Sequence, residues 1–308
     1  MNRDNKTDNK KDKSLIRFDW AAKRILRDKS NFGILEGLLT SLLGRPIKIL
    51  SILEGEGNKQ YSDNKSNKID LLAQEENGAK ILIEVQNEPE TSYFHRMVFG
   101  TSKVISDYLK EGDNYDKISK IYSINIVYFP LGKGNEFVYV GTTEFHGLKT
   151  GELLKLPPHL QVKYGVEEIK DIFPEYYVLR VDDFDIWSKS HLDQWMYFLS
   201  NNTIPDDADA PGLKEANEKL RVSSLPIEEQ NAYYEYVRAA NTWKHEVSDA
   251  FEEGEFYGRQ KGLEQGLKKG IAEGKWEMAE SLFKMNVDLE TISKASGITV
   301  SELKSKFG

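Results

Sequence analysis

The sequence predicts an α/β protein in which a mixed sheet is flanked by helices and followed by an all-helical C-terminal extension. Short apolar runs at 47–53, 79–86 and 123–129 are rich in β-branched residues, which is typical of buried strands. Amphipathic helical patterns, as at 91–112, alternate with them. Beyond residue 200 such runs stop, and glycine recurs at every fourth position within a polar helical stretch.

The composition excludes several classes of protein. Apolar residues make up 39% of the chain and charged residues 30%, as in a soluble globular protein. The absence of cysteine excludes disulfides, thiolate zinc sites and cysteine nucleophiles. No apolar run approaches the roughly 20 residues that span a bilayer, so no membrane association is expected. The lysine-rich residues 1–15 lack the apolar segment of a secretory signal, which predicts a disordered basic tail and a cytoplasmic protein.

The first predicted elements are a helix and a strand. Leucines at helical spacing in FGILEGLLTSLLG (32–44) form one apolar face, with Asn31 as a candidate cap at its start. Gly44 and Pro46 end this helix. The β-branched run IKILSIL (47–53) then predicts a strand.

A β-hairpin is the clearest local signal. The runs KIDLLAQ (68–74) and AKILIEVQ (79–86) flank a turn that contains Asn77-Gly78, a pair that favours tight hairpin turns. An amphipathic helix over 91–112 follows and ends at Gly112. The remaining elements of a domain over 16–200 are strands at 123–129, 136–141 and 175–184 and a helix at 191–199.

The C-terminal part divides into three segments: a linker and helical segment (201–250), a helical spacer (251–275) and a small helix-turn-helix-like unit (276–308). Each glycine inside a helix costs about 1 kcal/mol relative to alanine. The spacer therefore either packs very closely on a partner helix or is flexible and partly helical. The terminal unit reads equally as a helical packing or oligomerisation unit. The repeated glycines are Gly254, Gly258, Gly262, Gly266, Gly270 and Gly274.

Acidic residues occur in the hairpin where a buried sheet would have apolar ones. Asp70 lies on one strand, and Glu84 and Gln86 share one face of the next. A register centred on Glu76 and Asn77 brings Asp70 opposite Glu84. Two adjacent carboxylates repel each other and need a cation, and oxygen ligands favour Mg²⁺ or Mn²⁺. The alternative is an exposed sheet face with cross-strand Lys–Glu pairs.

Asp70 followed by Glu84-Val85-Gln86 resembles the D…ExK site of the PD-(D/E)XK nuclease superfamily. More closely, it resembles the Rpn family of recombination-promoting nucleases, also called PD-(D/E)XK nuclease family transposases, in which ExQ replaces ExK. The glycine repeat and terminal helical unit are similar to the end of that family's chains. The further matching stretches are DWAAKRILRDKSNFGILEGLL (19–39), IEVQNEPETSYFHRMVFGTSK (83–103) and SINIVYFPLGKG (123–134).

The resemblance implies a restriction-endonuclease-like fold and Mg²⁺-dependent cleavage of DNA phosphodiester bonds, linked to recombination or transposition. Asp70 and Glu84 would bind the metal, with the backbone carbonyl of Val85 as a further ligand. Gln86 would take the place of the lysine that orients or activates water. Glu36, on the helix before the first strand, matches the helix acid that reaches the metal through water.

The neutral Gln86 departs from the superfamily pattern, because an amide cannot act as a base. Lys68 and Lys80 each share a strand face with a site carboxylate and could substitute or contact DNA. His95 and Arg96 could contact phosphate. A catalytically inactive DNA-binding or assembly protein that keeps the fold remains the alternative. Such a chain could also self-associate through its C-terminal helices.

Overall fold

The computed structural model describes residues 14–53 and 70–308. Most of the predicted tail and the loop 54–69, which includes Lys68, lie outside the described residues. Leu15, which the sequence analysis assigns to the tail, is buried and forms a β-bridge with Arg221. Leu15 therefore belongs with the packed structure rather than with a tail, because its apolar side chain is taken into the core.

Two helices precede the sheet: α1 (Phe18–Arg24) and α2 (Phe32–Leu43). As predicted, α2 ends at Gly44, which has a positive φ of 66° that glycine adopts without strain. The predicted cap is wrong, because the side chain of Asn31 does not accept from the helix. Instead, its amide donates to the carbonyl of Ile25 and closes the loop before α2.

A mixed six-stranded sheet in the order β1-β2-β3-β4-β6-β5 forms the centre of the described structure. Adjacent strands pair antiparallel except β3 with β4 and β4 with β6, which are parallel. This arrangement confirms the predicted α/β class. The strands are β1 (Ile49–Leu53), β2 (Leu71–Glu75), β3 (Lys80–Gln86), β4 (Ile121–Val127), β5 (Val138–Gly141) and β6 (Glu175–Arg180).

Helix α3 (Tyr93–Tyr108) connects β3 to its parallel neighbour β4. It ends before the predicted Gly112, because Leu109 is already extended and Gly112 lies in the following turn. Leu72, Leu82 and Ile121 of three adjacent strands form an apolar cluster with Val104 of α3. This helix therefore covers the sheet face to which Leu82 and, two residues on, Glu84 point.

The segment expected to be a linker packs against the first helices. Helices α4 (Pro158–Tyr164), α5 (His191–Asn201) and α6 (Leu213–Lys219) follow, with β6 between α4 and α5 and irregular chain between α5 and α6. The side-chain oxygen of Gln194 accepts from the backbone N–H groups of Asp209 and Ala210. A Cβ on Gly37 would lie 2.1 Å from the carbonyl oxygen of Pro211, so only glycine fits this close approach.

Helix α7 (Ile227–Lys284) contains the whole glycine repeat, followed by α8 (Leu289–Ser296) and α9 (Val300–Phe307). No other group of the described chain lies within 4 Å of a Cβ placed on Gly254 or on the five repeated glycines that follow it. As predicted, Gly297 ends α8 with a positive φ, and Thr299 and Glu302 form a reciprocal capping box at α9.

The chain forms two units, one that ends at Glu235 and one of Tyr236–Gly308. The second has its own apolar cluster of Ala279, Ile292, Ile298 and Leu303. Within the described ranges, no helix combines the length and the apolar character that crossing a membrane requires.

Candidate active site

The hairpin brings Asp70 and Glu84 together. In the observed register Leu71 pairs with Ile83, so that Asp70 and Glu84 follow as the next opposed positions, as the turn sequence predicts. The backbone N–H of Val85 donates to Oδ2 of Asp70 at 2.8 Å. One oxygen of Asp70 is therefore fixed on the neighbouring strand, right beside Glu84.

Glu84 is a buried carboxylate with one oxygen left without a partner. Its side chain is 8% exposed, and Oε2 pairs with the guanidinium of Arg96 at 3.2 Å. Oε1 is buried and has no hydrogen-bond partner within the described chain. Burial and, next, the nearby charge of Asp70 raise the pKa of Glu84 to about 7, although Arg96 opposes this. An unpaired buried acceptor is costly, so this oxygen is suited to a cation or a donor that compensates it.

The two carboxylates suit a hard divalent cation. Oδ1 of Asp70 and Oε1 of Glu84 are the oxygens that backbone and arginine donors leave available. No cluster of three or more acidic, histidine or cysteine side chains suitable for a metal occurs in the described ranges. Mg²⁺ is commonly bound through one or two carboxylates while it keeps several waters. The donor set therefore fits Mg²⁺ or Mn²⁺, with the Val85 carbonyl as a further oxygen.

Helix α3 and strand β4 surround Glu84 with polar groups. Arg96 bridges Glu84 and Glu90, at 3.2 Å from each carboxylate. The hydroxyl of the buried Tyr93 donates to Asn125 of β4, which lies next to Glu84 in the parallel register. Burial, followed by the charge of Glu84, raises the pKa of Tyr93 above its ordinary value. Tyr93 therefore stays a neutral donor.

Hydrogen bonds hold helix α1 against the end of β3, directly after Gln86. Asp19 is fully buried and accepts from the Trp20 N–H, from Arg17 and from the side chain of Asn87. Arg17 also donates to the Asn87 side chain at 2.8 Å. Sequence reasoning singled out none of these residues, since nothing local shows which strand a short helix will meet.

Cations of α1 and of the loop after it face Asp70. The ammonium of Lys23 lies 3.4 Å from Oδ1 of Asp70. The guanidinium of Arg27 donates to the Asp70 backbone carbonyl at 2.6 Å. The sequence analysis missed both residues. The one available signal was the spacing of Asp19 and Lys23, which puts an acid and a lysine on one helix face.

Glu36 lies outside the cluster that the structure assembles. Its carboxylate accepts from the backbone N–H of Ile49 at 2.9 Å and from Lys48 at 2.8 Å. Ile49 pairs with Glu75, at the opposite end of β2 from Asp70. Five residues of strand separate these ends by roughly 16 Å. Glu36 thus connects α2 to β1, and its expected reach to a metal has no support in this geometry.

The structure places Gln86 and the other predicted DNA-contact residues in different surroundings. Lys80 lies at the far end of β3, where its ammonium donates to Ser119 and contacts the Tyr108 ring. His95 is exposed on α3, and the amide of Gln86 donates to the carbonyl of Glu88. DNA contacts by Lys80, His95 and Arg96 remain predictions, and Lys68 lies outside the described residues.

Comparison with known proteins places these residues in a family. The model of the PD-(D/E)XK nuclease family transposase matches residues 16–250. The match includes α1 and the whole sheet and ends before the glycine repeat. No curated protein and no solved structure matches the chain.

Proposed function

Because the chain belongs to the PD-(D/E)XK nuclease family transposases, we propose that it is a metal-dependent DNA endonuclease that acts in recombination or transposition. The observation that carries the proposal is the buried Oε1 of Glu84, which has no hydrogen-bond partner among the described residues and lies beside the carboxylate of Asp70. Such an arrangement is unfavourable without a cation and becomes favourable with one. DNA is then the substrate, and its phosphodiester bond is the site of attack.

The hairpin residues have distinct roles in this proposal. Asp70 and Glu84 would hold Mg²⁺ or Mn²⁺ through Oδ1 and Oε1, and the carbonyl of Val85 would provide a third oxygen. When bound, the ion lowers the pKa of a water and stabilises negative charge on the phosphate. Gln86, on the same strand face as Glu84, orients the water through its side-chain amide. The water oxygen bonds to phosphorus and releases a proton to solvent, the bridging P–O bond breaks, and the leaving oxygen takes up a proton from solvent.

The residues around Glu84 keep the site assembled before it binds an ion. Arg96 neutralises part of the carboxylate charge, and Glu90 holds Arg96 in place. Asn125 is buried and fixed by the Ser123 and Tyr177 backbone oxygens, so the floor of the site is rigid. A rigid floor favours catalysis, because the carboxylates do not need to reorganise when the substrate arrives.

A plasmid assay tests the proposal. The full chain should nick supercoiled DNA with Mg²⁺ or Mn²⁺, and Asp70→Ala and Glu84→Ala should abolish nicking while circular dichroism shows an unchanged fold. Glu111→Ala is the matched control, since this exposed acid follows α3 and lies outside the site. Absence of nicking by the wild type with both ions would refute the endonuclease assignment.

A second function is favoured by one residue, Gln86. A neutral amide cannot accept a proton from water as a base, and its Nε2 group is already engaged with Glu88. The alternative is a DNA-binding or assembly protein that keeps the nuclease fold without cleavage. It predicts DNA binding that weakens steeply with added salt, with no nicking under any divalent ion.

A further inference from the structure

Gln86 does not supply positive charge to the proposed nuclease site. Its side chain is neutral, and its amide donates to the Glu88 backbone at 3.1 Å. A phosphodiester carries one negative charge and gains more as water attacks, so a cation held there lowers the barrier. Beyond the charge of a bound metal ion, a positive side chain at the phosphate would have to come from another element of the chain.

Among the residues that the structure describes, the other cations near the site are engaged or distant. Lys80 lies at the far end of β3 and donates to Ser119. Arg96 is bound between Glu84 and Glu90, and Arg27 donates to the Asp70 backbone. Lys23 differs from these, because its side chain reaches a site carboxylate and is still 50% exposed. Its ammonium is therefore accessible to a substrate.

The position of Lys23 is fixed by the anchor of its helix. Asp19 and Lys23 are four residues apart in α1, so their side chains lie on one face. The buried Asp19 binds Asn87, one residue beyond Gln86. One turn further along, Lys23 reaches Asp70, the residue before β2 and opposite Glu84. The helix thus delivers a lysine to the pair of carboxylates, two residues before the neutral Gln86.

Lys23 is held loosely by its partner. The Nζ–Oδ1 distance of 3.4 Å exceeds the ~2.7–2.9 Å of a strong charge-assisted hydrogen bond. A lysine side chain has a long flexible stem, and it can change partner without movement of the helix. Oδ2 of Asp70 is already held by Val85, so Oδ1 is the oxygen that Lys23 shares with any incoming cation.

We propose that Lys23 is a catalytic residue that binds a non-bridging oxygen of the scissile phosphate, in place of the lysine that the ExQ motif lacks. The inference rests on the proposed nuclease function. Without divalent ions Lys23 neutralises Asp70. Once Oδ1 is engaged by a divalent ion, the ammonium turns to the phosphate and stabilises the charge that develops there. Lys23 acts as a hydrogen-bond donor throughout and never gives up a proton.

The test uses the full chain with Lys23→Ala, Lys23→Arg and the control Lys29→Ala. Lys29 is exposed in the turn after α1 and does not contact the site. Lys29→Ala therefore removes the same charge as Lys23→Ala from a position outside the site. Single-turnover nicking should fall about 100-fold in Lys23→Ala, recover in part in Lys23→Arg, and stay near the wild-type rate in Lys29→Ala. Calorimetric Mn²⁺ binding should weaken in Asp70→Ala but be retained or tightened in Lys23→Ala, because a competing cation has been removed.

Each other outcome overturns the inference in a recognisable way. If Lys23→Ala nicks DNA at nearly the wild-type rate while Asp70→Ala is inactive, the nuclease function stands and Lys23 has no catalytic role. If Lys23→Ala loses Mn²⁺ binding as Asp70→Ala does, Lys23 only supports the metal-binding carboxylates. If the wild type does not nick DNA, the proposed function falls, and the role of Lys23 falls with it.

Discussion

At the scale of single residues, Glu84 is where stability and the proposed function conflict. Its carboxylate is buried next to another acid, and one of its oxygens has no partner in the described structure. The pKa of about 7 shows that the folded protein binds a proton there more tightly than an exposed glutamate does. The same property makes Glu84 sensitive to pH near neutrality.

The affinity for divalent cations should therefore depend on pH. A cation needs the ionised carboxylate, so protonation of Glu84 below pH of about 7 competes with metal binding. As the pH rises from 5 to 7, we expect the Mn²⁺ dissociation constant to fall about tenfold for each pH unit. Above pH 7 the constant should level off. Calorimetry across this range measures it, and a flat profile would contradict the assigned pKa.

Glu84→Gln should stabilise the metal-free protein at alkaline pH. Because the folded-state pKa lies above the ordinary value of 4.5, the free energy of unfolding falls as pH rises from about 4.5 to about 7, and the cost is fully present above. The variant removes a cost of about 1–3 kcal/mol at pH 8, less the lost attraction to Arg96. Urea unfolding at pH 4 and pH 8 measures the difference, which should nearly vanish at the acidic pH.

Part of the site was predictable from residues alone. Asn77-Gly78 fixes a tight turn, a tight turn fixes the register, and the register places Asp70 opposite Glu84. The approach of Lys23 to Asp70 was not predictable, because the docking of α1 on β3 depends on long-range contacts such as Asp19 with Asn87. The contacts of Glu36 were not predictable for the same reason, since the rotation of α2 about its axis decides which strand end its carboxylate meets.

At the scale of elements, the glycine repeat of α7 lowers the helix propensity of a segment that is nevertheless helical. The sequence left two readings, a closely packed helix or a partly helical spacer. The structure is helical throughout, yet each of the six glycines faces open space within the described chain. The helix therefore carries the entropic cost of glycine without a packing gain from its own chain.

Replacing Gly258, Gly262 and Gly266 with alanine should stabilise the second unit. Each substitution should add about 1 kcal/mol of helix stability, because alanine loses less backbone entropy than glycine in a helix. The new Cβ does not oppose this gain, since it meets no atom within 4 Å. Thermal unfolding followed by circular dichroism measures the gain. Gly37→Ala is the contrasting control and should destabilise the chain, since its Cβ would overlap the Pro211 carbonyl. Loss of stability or of self-association in the alanine variants would instead show that the glycines pack against a second chain.

Element boundaries were less predictable than element types. The strands were found from β-branched apolar runs, but α3 ends well before Gly112, since glycine marks the turn rather than the last helical residue. Part of the predicted linker and helical segment (201–250) packs instead, because the Gln194 side chain bonds the backbone of Asp209 and Ala210 and Gly37 admits Pro211. A polar, proline-containing segment gives no local sign of such partners.

At the scale of the whole molecule, the candidate site belongs to the first unit, and the glycine repeat belongs to the second. Tyr233, near the start of α7, is buried in the first unit, where its hydroxyl accepts from the Arg17 N–H and donates to the Leu15 carbonyl. The glycine repeat and the terminal helices belong to the second unit. The family match likewise ends at residue 250.

A chain of residues 1–250 should therefore keep the fold and the proposed activity of the first unit. A chain of residues 1–226 is the matched comparison and should be less stable by about 2 kcal/mol or more, because it lacks Tyr233 and its two hydrogen bonds. Urea unfolding and plasmid nicking measure both effects. Equal stability of the two truncated chains would show that α7 contributes nothing to the first unit.

The contact between Leu15 and Tyr233 also sets the order of events during synthesis. These residues are 218 positions apart, so the N-terminal segment cannot be fastened until the ribosome has made most of the first unit. At typical translation rates the wait is about 10 to 40 s. The hairpin with Asp70 and Glu84 can form early from local sequence, whereas α1 gains its final support late. A nascent chain would thus carry the acidic pair well before Lys23 is secured beside it.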